Sequence, residues 1–262
     1  MYNISMSAKK LLVGNWKMNP ATPDEAKKIF SSIKRKTLNL KRTKVVICPP
    51  SLYLSALNGL TRPKTVDLGV QDLFYESGGA FTGEVNAKMA KNAGALYAII
   101  GHSERRALGE TDETVNRKII STLREELFVI ACIGEKERDP NGHYLQFLRD
   151  QISSSLYRIP KRFLSKIILA YEPIWAIGKS DREAMKGRDV HETAIFIRKI
   201  LSDIYGQENA AAIPILYGGS TSPRNVFDII SLGNVDGLLV GRESLDPKSF
   251  GEMLKIADNL KK

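Results

Sequence analysis

The chain has 262 residues and a mass of 29.2 kDa, with 43% hydrophobic and 26% charged residues. That is ordinary globular composition, and it excludes a disordered chain, a collagen and a coiled coil. The net charge is +10, from 39 Lys and Arg against 29 Asp and Glu, an excess that suits nucleic acid, an anionic membrane surface or small anionic substrates. Two cysteines, Cys48 and Cys132, exclude a disulfide framework and a Cys-rich zinc module. Both sit in apolar runs and read as reduced core thiols of a cytoplasmic protein. No stretch approaches the ~18 apolar residues of a spanning helix, and the start of the chain has no apolar signal region. Residues 1–10 read as a tail and residues 11–262 as one domain.

In chain order, the first apolar, β-prone run is Leu11–Lys17. Thr22-Pro23-Asp24-Glu25 then opens a helix, with a capping threonine, proline in the first turn and early acids. The basic run Lys34-Arg35-Lys36, with Lys41, Arg42 and Lys44, complements the negative end of that helix dipole. No aromatics interleave with it, so it reads as a solvated face and not a nucleic-acid patch. Strand-like runs follow at Lys44–Pro49, Val66–Asp72 and Tyr97–Ser103, after which Ser103 reads as a helix N-cap. Val115, Ile119, Leu123 and Leu127 mark a helix over Asp112–Leu127. The next runs are Phe128–Gly134 and Ile167–Pro173, and then a helix over Val190–Ile204 with Ile195, Ile197 and Ile200. Ile213–Ser220 precedes a helix from Ser222-Pro223 through Val226, Ile229 and Ile230, and Val235–Arg242 is the last run.

Most of these runs are continuously apolar, as strands buried on both faces are. The commonest interval suits a βαβ unit, whereas Lys44 to Val66 and Ile213 to Val235 leave room for a short helix only. Strict alternation predicts an α/β fold, a single (β/α)8 TIM barrel. The rival, a doubly wound open sheet, would carry a Gly-x-Gly-x-x-Gly turn after its first strand, and this chain has none.

Function in either architecture sits at the carboxyl ends of the strands. Here those ends read Asn15-Trp16-Lys17, Gln71-Asp72, His102-Ser103-Glu104, Cys132-Ile133-Gly134-Glu135, Glu172 and Gly218-Gly219-Ser220. Glu172 stands between apolar neighbours, where a carboxylate must be paired, desolvated or functional, and desolvation would raise its pKa. With Ser103 as N-cap, His102 would lie at a helix N-terminus, which disfavours imidazolium. Lys17 would add positive charge to a developing oxyanion. Gly218-Gly219-Ser220 and Gly241 read as turns whose backbone N–H groups can cradle a phosphate.

Seven phrases in order then resemble one family. They are Gly14–Asn19, Gly79–Glu84, Ile100–Arg106, Cys132–Glu135, Ala170–Gly178, Tyr217–Ser220 and Asp236–Gly241. Together they are similar to the triosephosphate isomerases, whose acid–base chemistry is a worked example in general enzymology. The resemblance implies that Glu172 is the base, that neutral His102 polarises the carbonyl and shuttles a proton, and that Lys17 and Asn15 orient and stabilise. Glu104 would support them. The reaction implied is interconversion of dihydroxyacetone phosphate and D-glyceraldehyde 3-phosphate through an enediolate, with no metal and no cofactor. Phosphate contacts would come from Gly178, Ser220, Gly241 and Arg242. Tyr217 and Ser220 would hold a closing loop that begins at Pro173. A homodimer is implied, docked through the loop Gln71–Glu84, with Phe74, Tyr75 and Phe81 exposed on a lone chain; neither nucleic acid nor membrane is expected as a partner. Two departures stand out: Lys179-Ser180-Asp181 replaces the usual Thr-Gly-Lys, and Gly241-Arg242 replaces Gly-Gly, at the cost of any positive φ there. The alternatives are another phosphate-binding barrel enzyme and a non-catalytic basic binding protein.

Overall fold

Eight short strands buried on both faces have one arrangement without an exposed sheet edge, a closed barrel, and that is the arrangement found. A computed structural model describes residues 9–61, 65–178 and 184–260. The strands are β1 (Lys10–Asn15), β2 (Thr43–Cys48), β3 (Asp67–Val70), β4 (Tyr97–Ile100), β5 (Phe128–Ile133), β6 (Ile167–Tyr171), β7 (Ile215–Tyr217) and β8 (Gly237–Val240). Each pairs in parallel with its neighbour in sequence, and β8 closes on β1 with Leu11 opposite Gly237. A Cβ on Gly237 would lie 1.8 Å from the Leu11 carbonyl oxygen, so the closing pair depends on that glycine. β1 begins at Lys10, one residue ahead of the expected boundary.

Helices cover the barrel. They are α1 (Pro23–Thr37), α2 (Leu54–Asn58), α3 (Ala87–Asn92), α4 (Ser103–Ala107), α5 (Asp112–Arg124), α6 (His143–Ser155), α7 (Gly187–Tyr205), α8 (Gln207–Ala212), α9 (Val226–Ser231) and α10 (Pro247–Asn259). The α1 cap is as expected: Thr22 Oγ1 accepts from the Glu25 amide at 3.3 Å, and Ala26, Phe30 and Ile33 are buried. The two short intervals do hold short helices, α2 and α9. On α7 the pattern held only in part, since Ile197 and Ile200 are buried but Ile195 is 56% exposed.

Alternate strand residues divide between two cores. Leu11, Val13, Val46, Cys48, Tyr97, Ile99, Ile130, Cys132, Ile168, Ala170, Leu216 and Leu239 fill the barrel interior. Their neighbours, such as Leu12, Ile47, Ile100, Ala131, Leu169 and Tyr217, pack under the helices. Both faces being dry explains why the runs read as continuously apolar. Both cysteines are buried and unbridged. The basic run is partly used internally: Lys34 Nζ donates to the Leu60 carbonyl at 2.7 Å, and Lys44 pairs with Asp67 at 3.1 Å. Among the described residues, no helix is long and apolar enough to cross a membrane.

Candidate active site

The inward rows of the strands end at or just past the last sheet residue, and those end positions build the site. Leu11 and Val13 lead to Asn15, Ile168 and Ala170 to Glu172, Leu216 to Gly218, and Leu239 to Gly241. The period of two therefore aims a carboxylate and an amide into the barrel mouth. Two of the four positions are glycines, which leave it open. A Cβ on Gly218 would lie 2.8 Å from Glu172 Cγ, and one on Gly241 would lie 3.6 Å from Lys17 Cε.

Glu172 is buried, and its amide donates to the Ile133 carbonyl at 2.7 Å, which fixes where the carboxylate starts. Its Oε1 lies 3.0 Å from His102 Nε2, and its Oε2 accepts from the Ser103 amide at 3.1 Å. Burial pushes the Glu172 carboxyl up, but His102, the Ser103 amide and Lys17 together hold it below the ordinary glutamate value. The expected rise from desolvation is thus overturned, because three partners outweigh one penalty.

Ser103 is not the N-cap expected of it. His102 holds that position, with its own Nδ1 accepting from the Glu104 amide at 3.2 Å. Only an unprotonated ring nitrogen can accept, so the proton of a neutral imidazole sits on Nε2, facing Glu172. Burial lowers the His102 pKa, but the Glu172 charge and hydrogen bond bring the net direction upward. The amide at Nδ1 works against that second proton.

Lys17 follows β1 in a left-handed conformation, φ 52°. Asn15 Oδ1 accepts from the Lys17 amide at 3.0 Å, and Gln71 Nε2 donates to the Lys17 carbonyl at 2.8 Å and to that of Cys48 at 2.9 Å. These bonds hold a backbone shape that a non-glycine residue resists. The Lys17 ammonium pairs with Glu104 Oε1 at 2.5 Å. Asn15, Lys17, His102, Glu172, Gly178, Ser220, Gly241 and Arg242 all line one cavity of about 340 Å³. Glu104 reaches it through Lys17. Gly178 has φ +74°, and Ser220 Oγ donates to the Ala176 carbonyl at 2.9 Å.

Residues 10–257 match a family model described as triosephosphate isomerase. The chain belongs to the triosephosphate isomerase family. It is 40% identical over 247 residues to a triosephosphate isomerase of Moorella thermoacetica, covering 93% of this chain and 97% of that one. It is 41% identical over 242 residues to that of Dehalococcoides mccartyi, covering 92% and 93%. A crystal structure of triosephosphate isomerase from Bartonella henselae superposes with a TM-score of 0.84 at 33% identity, covering 95% of this chain and 98% of that one.

Two expectations about this triosephosphate isomerase family member change. Arg242 bears no cost of positive φ, since it is absent from the non-glycine residues with positive φ and opens a 3-10 turn over Arg242–Leu245. Phe74 and Tyr75 are half-buried, stacked on each other at 4.3 Å, with the Arg117 guanidinium 3.7 Å from the Tyr75 ring; Phe81 is 43% exposed. Lys179-Ser180-Asp181 lies outside the described residues. Burial raises the pKa of the Tyr217 phenol, with the Arg138 charge working against it.

A buried cluster behind Glu172 was not assigned from sequence. Glu135 Oε1 accepts from Tyr171 Oη at 2.8 Å, Trp175 Nε1 at 2.9 Å and Arg138 Nε at 3.1 Å. Arg138 Nη2 also donates to Tyr171 Oη at 3.0 Å and Thr193 Oγ1 at 2.6 Å. One carboxylate therefore holds the residue before Glu172 and the third residue after it. A signal for Glu135 existed: a carboxylate directly after an apolar strand needs a partner. Arg138 and Thr193 gave none, because their meeting depends on how α7 lies across the barrel.

Proposed function

We propose that this chain carries the activity for which its family is named, interconverting dihydroxyacetone phosphate and D-glyceraldehyde 3-phosphate, with Glu172 as the base. The observation that carries the reading is the Glu172–His102 pair at 3.0 Å, inside a cavity that Lys17 also lines. Glu172 removes a proton from the carbon beside the carbonyl and returns it to the neighbouring carbon. His102, donating from Nε2, hydrogen-bonds the carbonyl oxygen and passes a proton between the two oxygens of the enediolate. Its Nδ1 bond to the Glu104 amide supports this tautomer. A substrate oxygen that takes over the Nε2 proton also displaces Glu172 from His102, which weakens the upward pull on the imidazole pKa. Lys17 and Asn15 orient the substrate and stabilise the developing oxyanion, with Glu104 holding the ammonium. The backbone N–H groups of Gly178, Ser220, Gly241 and Arg242 take the phosphate, and Tyr217 and Ser220 hold the closed loop.

The same reading makes the chain a cytoplasmic homodimer docked through Gln71–Glu84. Support comes from exposed apolar side chains on the segments that follow β1, β2 and β4, Met18 at 94%, Leu52 at 86% and Leu108 at 78%, of the kind that mark an interface. Sedimentation equilibrium at micromolar concentration should give the mass of two chains; a single-chain mass would refute the dimer. For the activity, purified protein is assayed for isomerisation of glyceraldehyde 3-phosphate beside Glu172→Asp, which pulls the carboxylate back by one methylene. The expected loss in kcat is about 10²- to 10⁴-fold. Absence of turnover in well-folded protein would sink the assignment.

A further inference from the structure

We infer that the guanidinium of Arg242 is a phosphate-binding group, a side-chain cation added to an anion site otherwise made of backbone; the inference rests on the isomerase reading. The charges around the cavity point to it. Among the described residues that line it, the cations are Lys17 and Arg242, and the carboxylates are Glu172 and Glu243. Lys17 is already paired with Glu104. Glu243 accepts a hydrogen bond from the Ser249 hydroxyl. Arg242 is exposed and makes no hydrogen bond or ion pair with a described residue. A phosphate dianion entering beside the Glu172 carboxylate thus meets one cation that no carboxylate holds.

The backbone beneath Arg242 is fixed while its side chain is not. Ser244 donates to the Gly241 carbonyl twice, from its amide at 2.9 Å and its hydroxyl at 2.7 Å. Trp16 Nε1 donates to the Ser244 carbonyl at 3.2 Å, which ties the turn to β1. Gly241 approaches the Lys17 stem, so Arg242 starts from the rim one residue away from it. A guanidinium there can place two parallel N–H groups on two phosphate oxygens. The group recognised is a phosphate monoester dianion, the phosphoryl end of the substrate.

The test uses Arg242→Gln and Arg242→Lys, with Arg35→Gln as a control on the exposed end of α1. KM and kcat for glyceraldehyde 3-phosphate and the competitive inhibition constant of inorganic phosphate are measured at about 0.01 M and about 0.3 M ionic strength. At low salt, Arg242→Gln should raise KM and the inhibition constant by the same factor, about 3- to 10-fold, with kcat within about twofold. Arg242→Lys should recover part of the loss, the effect should shrink at high salt, and Arg35→Gln should shift neither constant. Unchanged constants in Arg242→Gln, or equal shifts in Arg35→Gln, would overturn the inference. Calorimetric titration of inorganic phosphate into wild type and Arg242→Gln needs no turnover. If wild type proves inactive but the variant binds phosphate more weakly, the isomerase reading fails and the Arg242 site stands.

Discussion

Gly218→Ala tests whether the site owes its rate to the placement of one carboxylate. The new Cβ would stand 2.8 Å from Glu172 Cγ, whereas ordinary contact begins at 3.4 Å. The side chain must therefore give way by at least 0.6 Å, the difference between those two distances. Its other neighbours are tolerant, with Tyr171 O at 3.5 Å and Glu172 Oε1 at 3.6 Å, and Gly218 has no positive φ. The fold should survive, with a stability loss of about 1–2 kcal/mol. Misplacing a reacting group by ~1 Å costs about 10²-fold, so a shift of this size should lower kcat by about 10- to 100-fold. KM should stay within about threefold, because the substitution adds no group at the proposed phosphate contacts Gly178, Ser220, Gly241 and Arg242. The assay is steady-state isomerisation of glyceraldehyde 3-phosphate, with thermal unfolding run on the same preparation. A folded Gly218→Ala protein with wild-type kcat would refute the reasoning, and so would a KM effect without a kcat effect.

Other outcomes follow from the same contacts. Glu172 has a folded pKa below its unfolded value, so its contribution to stability is complete above the ordinary glutamate pKa of about 4.3 and is lost as pH falls through the lowered value. Melting temperature should then fall more steeply with acid in wild type than in Glu172→Gln; parallel curves would contradict the lowered pKa. Arg138→Met leaves the buried Glu135 carboxylate without its cation, and urea titration should show a loss of about 2–4 kcal/mol. The same variant should shift Trp175 emission, and unchanged stability would mean Glu135 does not need the guanidinium. Gly237→Ala puts a methyl 1.8 Å from the Leu11 carbonyl oxygen where the barrel closes. It should yield insoluble protein or cost more than about 4 kcal/mol; near-normal stability would show that β8 can move off β1.

Much of this protein was readable along the chain. The barrel followed from eight runs and their spacing, since a strand that is dry on both faces has no polar alternation to hide it. Asn15, Glu172 and Gly241 could be placed at the mouth because each stands at the carboxyl end of an apolar run, where a barrel carries its function. What the order of residues could not supply was which donors meet which acceptors. Glu172 in an apolar stretch argues for a raised pKa, yet His102 Nε2, the Ser103 amide and Lys17 converge on it from other strands and reverse the sign. Ser103 looked like the cap because serine usually is; the imidazole before it reaches the Glu104 amide first. Arg242 looked costly in a glycine position, and its negative φ removes the cost. Periodicity and composition are local properties, and they determined the elements and their order. The charge state of a buried carboxylate and the use of a rim arginine are sums over groups far apart in sequence, and only the closed barrel brings those groups together.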